Sequence, residues 1–168
     1  MVYLDMLHEG QAAAVQAMAN NAAIARYLKD VFPHPYQLSD AYFFLGTVVP
    51  LHPGQIFGIY TDEGLAGIGS TLLQSDVYRH SAEIGYWLAQ PFWGRGIGTE
   101  AVRLLTAHAF SIAGITRVFA GVFANNPASM RVLEKNGYRC EAVHKAAIVK
   151  WDVVMDEHLY TLLKPEHP

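Results

Sequence analysis

The chain has 168 residues and a formal net charge of −3 with its eight histidines neutral; 52% of it is hydrophobic and 16% charged, a balance that supports a sizeable core and argues against disorder. Lys and Arg do not cluster as on a nucleic-acid surface, and no apolar run reaches the ~20 residues of a membrane span. The single cysteine, Cys140, excludes an intrachain disulfide and a Cys-rich zinc site, and the histidines lack His-Glu-x-x-His spacing, so no metal is expected and a reducing cytoplasm is the expected setting.

Met1 to Gly10 has neither the basic start nor the apolar centre of a signal peptide, and Val2 to Leu4 reads as a short strand. Gln11 to Leu28 is proline-free and rich in Ala, Met and Leu, with Ala14, Val15, Met18, Ala22 and Ile24 near helical spacing. The pattern predicts two helices meeting near Asn20 and Asn21. Phe32 to Tyr36 is a proline-stiffened loop, followed by a helix with Ser39 as N-cap running through Tyr42 and Leu45 to Val49. This first region is expected to form a helical flap over one end of a sheet.

Gln55 to Thr61 and Leu65 to Gln74 read as strands around the turn Asp62-Glu63-Gly64. Ser81 to Ala89 is a third, with Ala82, Ile84, Tyr86 and Leu88 on one face and Glu83, Gly85 and Trp87 on the other. A glycine-rich loop leads into a helix from Thr99 to Ala113, stopped by Gly114. Arg117 to Phe123 is a strand, and Asn126-Pro127 caps and opens a helix ending near Asn136-Gly137. Tyr138 to Lys145 and Val149 to Leu163 close the chain as a hairpin. The order is α+β: a mostly antiparallel meander, one strand–helix–strand crossover, a further helix and a hairpin, read as one domain over residues 1–168 without repeats.

The densest chemical signal is QPFWGRGIGTEA, Gln90 to Ala101. Gly94, Gly96 and Gly98 alternate just before a helix. Glycines let consecutive N–H groups turn toward an anion, and a helix start adds a favourable dipole, so the segment can cradle a pyrophosphate. A bare glycine cluster can equally be a tight turn. A nucleotide P-loop would need Gly-Lys-Ser/Thr, and a dinucleotide fingerprint would need glycine where Thr99 stands.

EIGYWL (Glu83 to Leu88), FWGRGIGTEA (Phe92 to Ala101) and NPASMRVLEKNGY (Asn126 to Tyr138) resemble, in order and spacing, the GNAT acetyltransferase superfamily, and most closely its ribosomal-protein N-terminal acetyltransferase branch. The resemblance covers most of the chain from Gln55 onward; the Pro-His-Pro-Tyr loop and Asp156 to Lys164 also fit it. It implies a GNAT fold: a mixed, mostly antiparallel central sheet flanked by helices, with a splayed pair of parallel strands and an acetyl-CoA loop. It further implies N-acetylation of a primary amine, by direct attack on acetyl-CoA in a ternary complex without an acetylated enzyme group. The amine would belong to a peptide N-terminus or a small molecule, and no nucleic acid or membrane is implied. Many relatives pair as dimers; here homodimer and monomer both stay open.

By the same resemblance, amides near Gly94, Arg95, Gly96, Gly98 and Thr99 bind the cofactor pyrophosphate, with Arg95 either a charge contact or a solvated loop residue. Trp93 departs from the Gln or Arg that opens this loop in many members, although Trp-Gly is common in the ribosomal branch. A backbone N–H near Trp87 or Leu88 would stabilise the thioester oxygen as charge develops. Glu83 is the leading general base, or else a solvated glutamate. Asn126 is a cofactor-side polar group, an N-cap, or both. Where many members place a catalytic tyrosine this chain has Leu133, which shifts protonation of the leaving thiolate to Ser129 or to water; Ser129 can equally be a first-turn helix residue with a local hydrogen bond. Asp156, His158 and Tyr160 share one face of the last strand as weaker candidates for amine recognition or proton relay, and Cys140 reads as a small buried strand residue. The alternatives in function are a non-catalytic acetyl-CoA sensor, kept open by the missing tyrosine, and transfer of a bulkier acyl group.

Overall fold

A computed structural model describes residues 1–165. Its strands are β1 (Tyr3–Asp5), β2 (Ile56–Thr61), β3 (Gly64–Leu73), β4 (Ser81–Leu88), β5 (Arg117–Phe123), β6 (Arg139–Lys150) and β7 (Val153–Leu163). They form a seven-stranded sheet in the order β1-β2-β3-β4-β5-β7-β6. Every neighbouring pair is antiparallel except β4 and β5. That pair is joined through helix α5 (Ile97–Ser111), and a helical crossover is what allows adjacent strands to run parallel. Their pairing is short: Ser81, Ala82 and Glu83 face Arg117, Val118 and Phe119, and no register continues beyond. β5 instead pairs with β7 along its full length, from Arg117↔Leu163 to Phe123↔Glu157. The sheet therefore opens into a wedge after Glu83.

The remaining helices are α1 (Ala12–Ala19), α2 (Ala22–Ala25), α3 (Leu38–Phe43), α4 (Val49–Leu51) and α6 (Pro127–Lys135). One sheet face is covered by α5 and α6: Val102, Leu105, Ala109 and Leu133 pack with Ile84, Val118 and Ala120. The helical N-terminal region covers the other face, where Val15, Ala19, Ala41 and Leu45 meet Ile56, Ile68 and the partly buried Trp87. Each fully buried Leu or Val contributes about 1.5–3 kcal/mol. Strand alternation thus sends Tyr86 toward α5 and α6, and Trp87 toward the Phe32 ring, 5.6 Å away edge-on.

Several boundaries differ from the pattern reading. The third helix starts at Leu38 with Gln37 as its N-cap, because the Asp40 carboxylate reaches back to accept the Gln37 N–H at 2.7 Å; Ser39 is inside it. A π turn over Phe44–Val48 then precedes α4. Pro50, in α4 just after the turn, has no N–H to donate back to Gly46 O, which fits the irregular bonding there. α5 begins two residues earlier than expected, since Gly96 at φ +77° is its cap. In the final hairpin, β6 runs on to Lys150 and the chain reverses at Trp151-Asp152, both at positive φ. The expected break after Lys145 is a bulge, with Ala146 at φ +51° and a register shift between His144 and Ile148. Cys140 is exposed rather than buried, because β6 is the outermost strand.

Candidate active site

The wedge and the glycine loop meet at the end of β4. Ala89 N–H donates to Ala66 O at 2.8 Å, so alternation turns the N–H groups of Tyr86 and Leu88 away from β3, into the wedge that β5 has left. Of the two amides considered for the thioester oxygen, the Leu88 N–H faces this space; Trp87, opposite Ile68, turns its N–H toward β3. The Trp93 indole N–H donates to Leu88 O at 2.8 Å. The side chain that departs from the common Gln or Arg thus pins the loop to the strand.

Past Trp93 the backbone turns through Gly94 (φ +71°) and Gly96 (φ +77°), conformations that strain any residue with a Cβ. The first bond of α5 is Glu100 N–H to Gly96 O at 3.2 Å. Among the described residues the N–H groups from Gly94 to Thr99 have no acceptor within the chain. A run of unpartnered donors at the positive end of a fifteen-residue helix suits a diphosphate. Gly98 has a different reason to lack a side chain: a Cβ there would lie 3.3 Å from the Tyr86 ring.

Two contacts brace the loop from outside. The Arg95 guanidinium pairs with the Glu63 carboxylate in the β2–β3 turn and lies over the Phe92 ring, 5.4 Å from its centre. The Arg95 hydrogen bond holds the Glu63 carboxyl below its ordinary value. Asn136, at the end of α6, donates to Thr99 O at 3.1 Å and to Val132 O at 2.9 Å, tying the first turn of α5 to the neighbouring helix.

On the α5/α6 side of the wedge, Asn126 caps α6 by accepting the Ser129 N–H at 3.2 Å. The Ser129 hydroxyl in turn accepts a long hydrogen bond, 3.4 Å, from Tyr86 OH. Burial pushes the Tyr86 phenol up from its usual value, and the Ser129 contact pulls it down less; it remains a neutral donor at pH 7. Alternation places Tyr86 only on the same strand face as Ala82, Ile84 and Leu88; its reach to Ser129 depends on the place of α6. Leu133 is buried in the core at 1% exposure and faces no solvent space. On the opposite face Glu83, the last residue paired to β5, lies 3.5 Å from Lys29 Nζ. Glu83 and Ser129 therefore flank the wedge from its two sides.

An open groove of about 830 Å³ runs between Ala22–Arg26 and the Lys150–Met155 turn of the hairpin. Asn125 lines it, and its buried side-chain oxygen has no partner among the described residues, a feature sequence patterning gives no means of finding. Arg26 and Lys150 are the charged residues lining this groove. Asp156 and Tyr160 are engaged elsewhere: Asp156 accepts from Ala146 N–H and Lys145 Nζ, both at 2.9 Å, and Tyr160 OH donates to Glu134 at 3.0 Å.

Residues 2–139 match the Acetyltransferase (GNAT) domain family model. Over 112 residues the chain is 38% identical to "Probable N-acetyltransferase YjcK" of Bacillus subtilis (strain 168), covering 66% of this chain and 62% of that protein. It is 30% identical over 106 residues to the ribosomal-protein-serine acetyltransferase of Escherichia coli (strain K12), covering 63% and 59%. These matches thus span about three fifths of the relatives' own lengths. The structure superimposes with a TM-score of 0.85 on RimL, a ribosomal L7/L12 alpha-N-protein acetyltransferase in complex with coenzyme A, at 23% identity over 96% of this chain and 93% of that one. The wedge in a mixed sheet, the glycine loop at a helix start and the matching domain model agree: the chain belongs to the GNAT acetyltransferase family.

Proposed function

We propose that the protein transfers the acetyl group of acetyl-CoA to a primary amine by direct attack within a ternary complex in the cytoplasm. The observation that carries this reading is the run of unpartnered amides from Gly94 to Thr99 at the head of α5, adjoining the open edge of β4. In it, those amides hold the pyrophosphate, and the thioester lies in the wedge with its oxygen toward the Leu88 N–H. Glu83, on the far face, removes a proton from the attacking amine directly or through water. Ser129 protonates the departing sulfur, with Tyr86 donating into the Ser129 oxygen so that the serine proton is directed outward. No residue of the chain need be acetylated for turnover.

The groove between Ala22–Arg26 and the hairpin turn supports a choice of acceptor. Arg26 lies along it, Lys150 is paired with Asp30, and no carboxylate is among its described lining residues, so a polycationic amine would meet like charge at Arg26 and no counter-charge. Asn125 offers one buried acceptor for an N–H, and Trp151, Val153 and Met155 offer apolar surface. A peptide N-terminus fits these features, and the naming of the Escherichia coli relative as a ribosomal-protein-serine acetyltransferase supports it. The test is thiol release from acetyl-CoA over a panel of N-terminal peptides, small amines and polyamines. Peptides should turn over best; stoichiometric acetyl-CoA binding without thiol release for any amine would replace the enzyme by a sensor.

A further inference from the structure

Lys29 follows α2 on the acceptor side of the sheet, and its position is set by its neighbours. Asp30 pairs with Lys150 at 2.7 Å, and the Lys150 side chain is only 5% exposed. Phe32 N–H donates to Lys29 O at 3.0 Å, and the Phe32 ring packs edge-on against Trp87 of β4. The backbone at residue 29 is thereby clamped between β4 and the end of β6. Its side chain is 70% exposed, yet the ammonium rests 3.5 Å from the Glu83 carboxylate. An exposed ion pair of this kind is weak and opens readily. The primary amine nearest the candidate base belongs to the protein itself.

We propose that Lys29 is a self-acetylation site, modified in cis when acetyl-CoA is bound and no acceptor is present; this rests on the roles assigned above to Glu83 and the wedge. The Lys29 ammonium loses a proton to Glu83, directly or through water. The Nζ lone pair attacks the thioester carbonyl carbon, the C–N bond forms and the C–S bond breaks, and the coenzyme A thiolate takes a proton from Ser129. The second Nζ proton, released as the amide forms, passes through water to restore Ser129, and Glu83 gives its own proton to solvent. The products are Nζ-acetyl-Lys29 and free coenzyme A. Acetylation removes the positive charge at Lys29 and leaves the Glu83 carboxylate open to an incoming ammonium.

The full-length protein is incubated with acetyl-CoA alone, and acetylation is followed by peptide mass spectrometry at Lys29 and at Lys135, an exposed lysine at the end of α6. Lys29 should gain one acetyl group at a rate independent of protein concentration and about 100-fold above Lys135, the range of general-base assistance. Glu83→Gln should slow Lys29 about 100-fold and leave Lys135 unchanged, with an unaltered melting temperature confirming that the variant folds. Asp30→Asn, which loosens the clamp, should narrow the gap between the two lysines. Equal rates at Lys29 and Lys135, or a Lys29 rate indifferent to Glu83→Gln, would overturn the proposal. Thiol release with an external amine but no acetyl on Lys29 would overturn self-acetylation while leaving the transfer reading in place. Absence of both reactions would remove the two together.

Discussion

Tyr86 OH donates to Ser129 Oγ across 3.4 Å, joining the open strand β4 to the first turn of α6. In the proposed mechanism the hydroxyl that the family resemblance would seek at Leu133 comes from a different element, and burial keeps the Tyr86 phenol protonated. Ser129→Ala should lower turnover about 100-fold with acetyl-CoA affinity unchanged. Tyr86→Phe should lower it less, about tenfold, the scale of one hydrogen bond. Steady-state kinetics with acetyl-CoA and acceptor varied separately checks both, and unchanged turnover in Ser129→Ala would remove the serine from the chemistry.

Leu133→Tyr would look like restoring a lost donor. At 1% exposure the site has no room for the larger ring. The expected outcome is destabilisation of about 1–3 kcal/mol from overpacking, without a gain in turnover. Denaturant unfolding beside an activity assay measures it.

Gly96→Val tests the loop. A β-branched residue at φ +77° costs about 1–3 kcal/mol of backbone strain and disturbs the amides that follow. Acetyl-CoA binding by calorimetry should fall by at least tenfold in a variant that still melts cooperatively. Trp93→Phe, which keeps the ring and loses the donor to Leu88 O, should weaken binding by a smaller factor, in line with about 1 kcal/mol for one hydrogen bond.

The sequence pattern placed nearly every strand and the two helices that frame the wedge, because alternation, Asn126-Pro127 and the glycine triplet each act locally. The assignments that moved depend on distant partners. The end of β6 was misplaced since the apolar run through Ala146 and Val149 carries no turn residue. The reversal at Trp151-Asp152 uses positive φ in residues that rarely adopt it. Free cysteine is usually buried, whereas the exposure of Cys140 follows from β6 being the sheet's outer edge. Lys29 beside Glu83, and Asn125 in the groove, became visible only with the helices packed against the sheet.

Asp156 sets an acid limit on the hairpin. The Ala146 N–H first, and Lys145 second, hold its carboxyl below the ordinary value. A depressed carboxylate contributes stability above its unfolded pKa of about 3.9 and loses it as pH falls through the lower folded value. Wild-type stability should drop below about pH 4, and Asp156→Asn should show a shallower loss there. Thermal melts from pH 7 down to about 2.5 compare the two.

The pyrophosphate cradle is tested most directly by a crystal structure of the protein with coenzyme A. The expected result is diphosphate oxygens within hydrogen-bonding distance of the amides from Gly94 to Thr99, and the thiol arm in the wedge beside β4. Coenzyme A bound at another surface, with those amides left to water, would contradict the account.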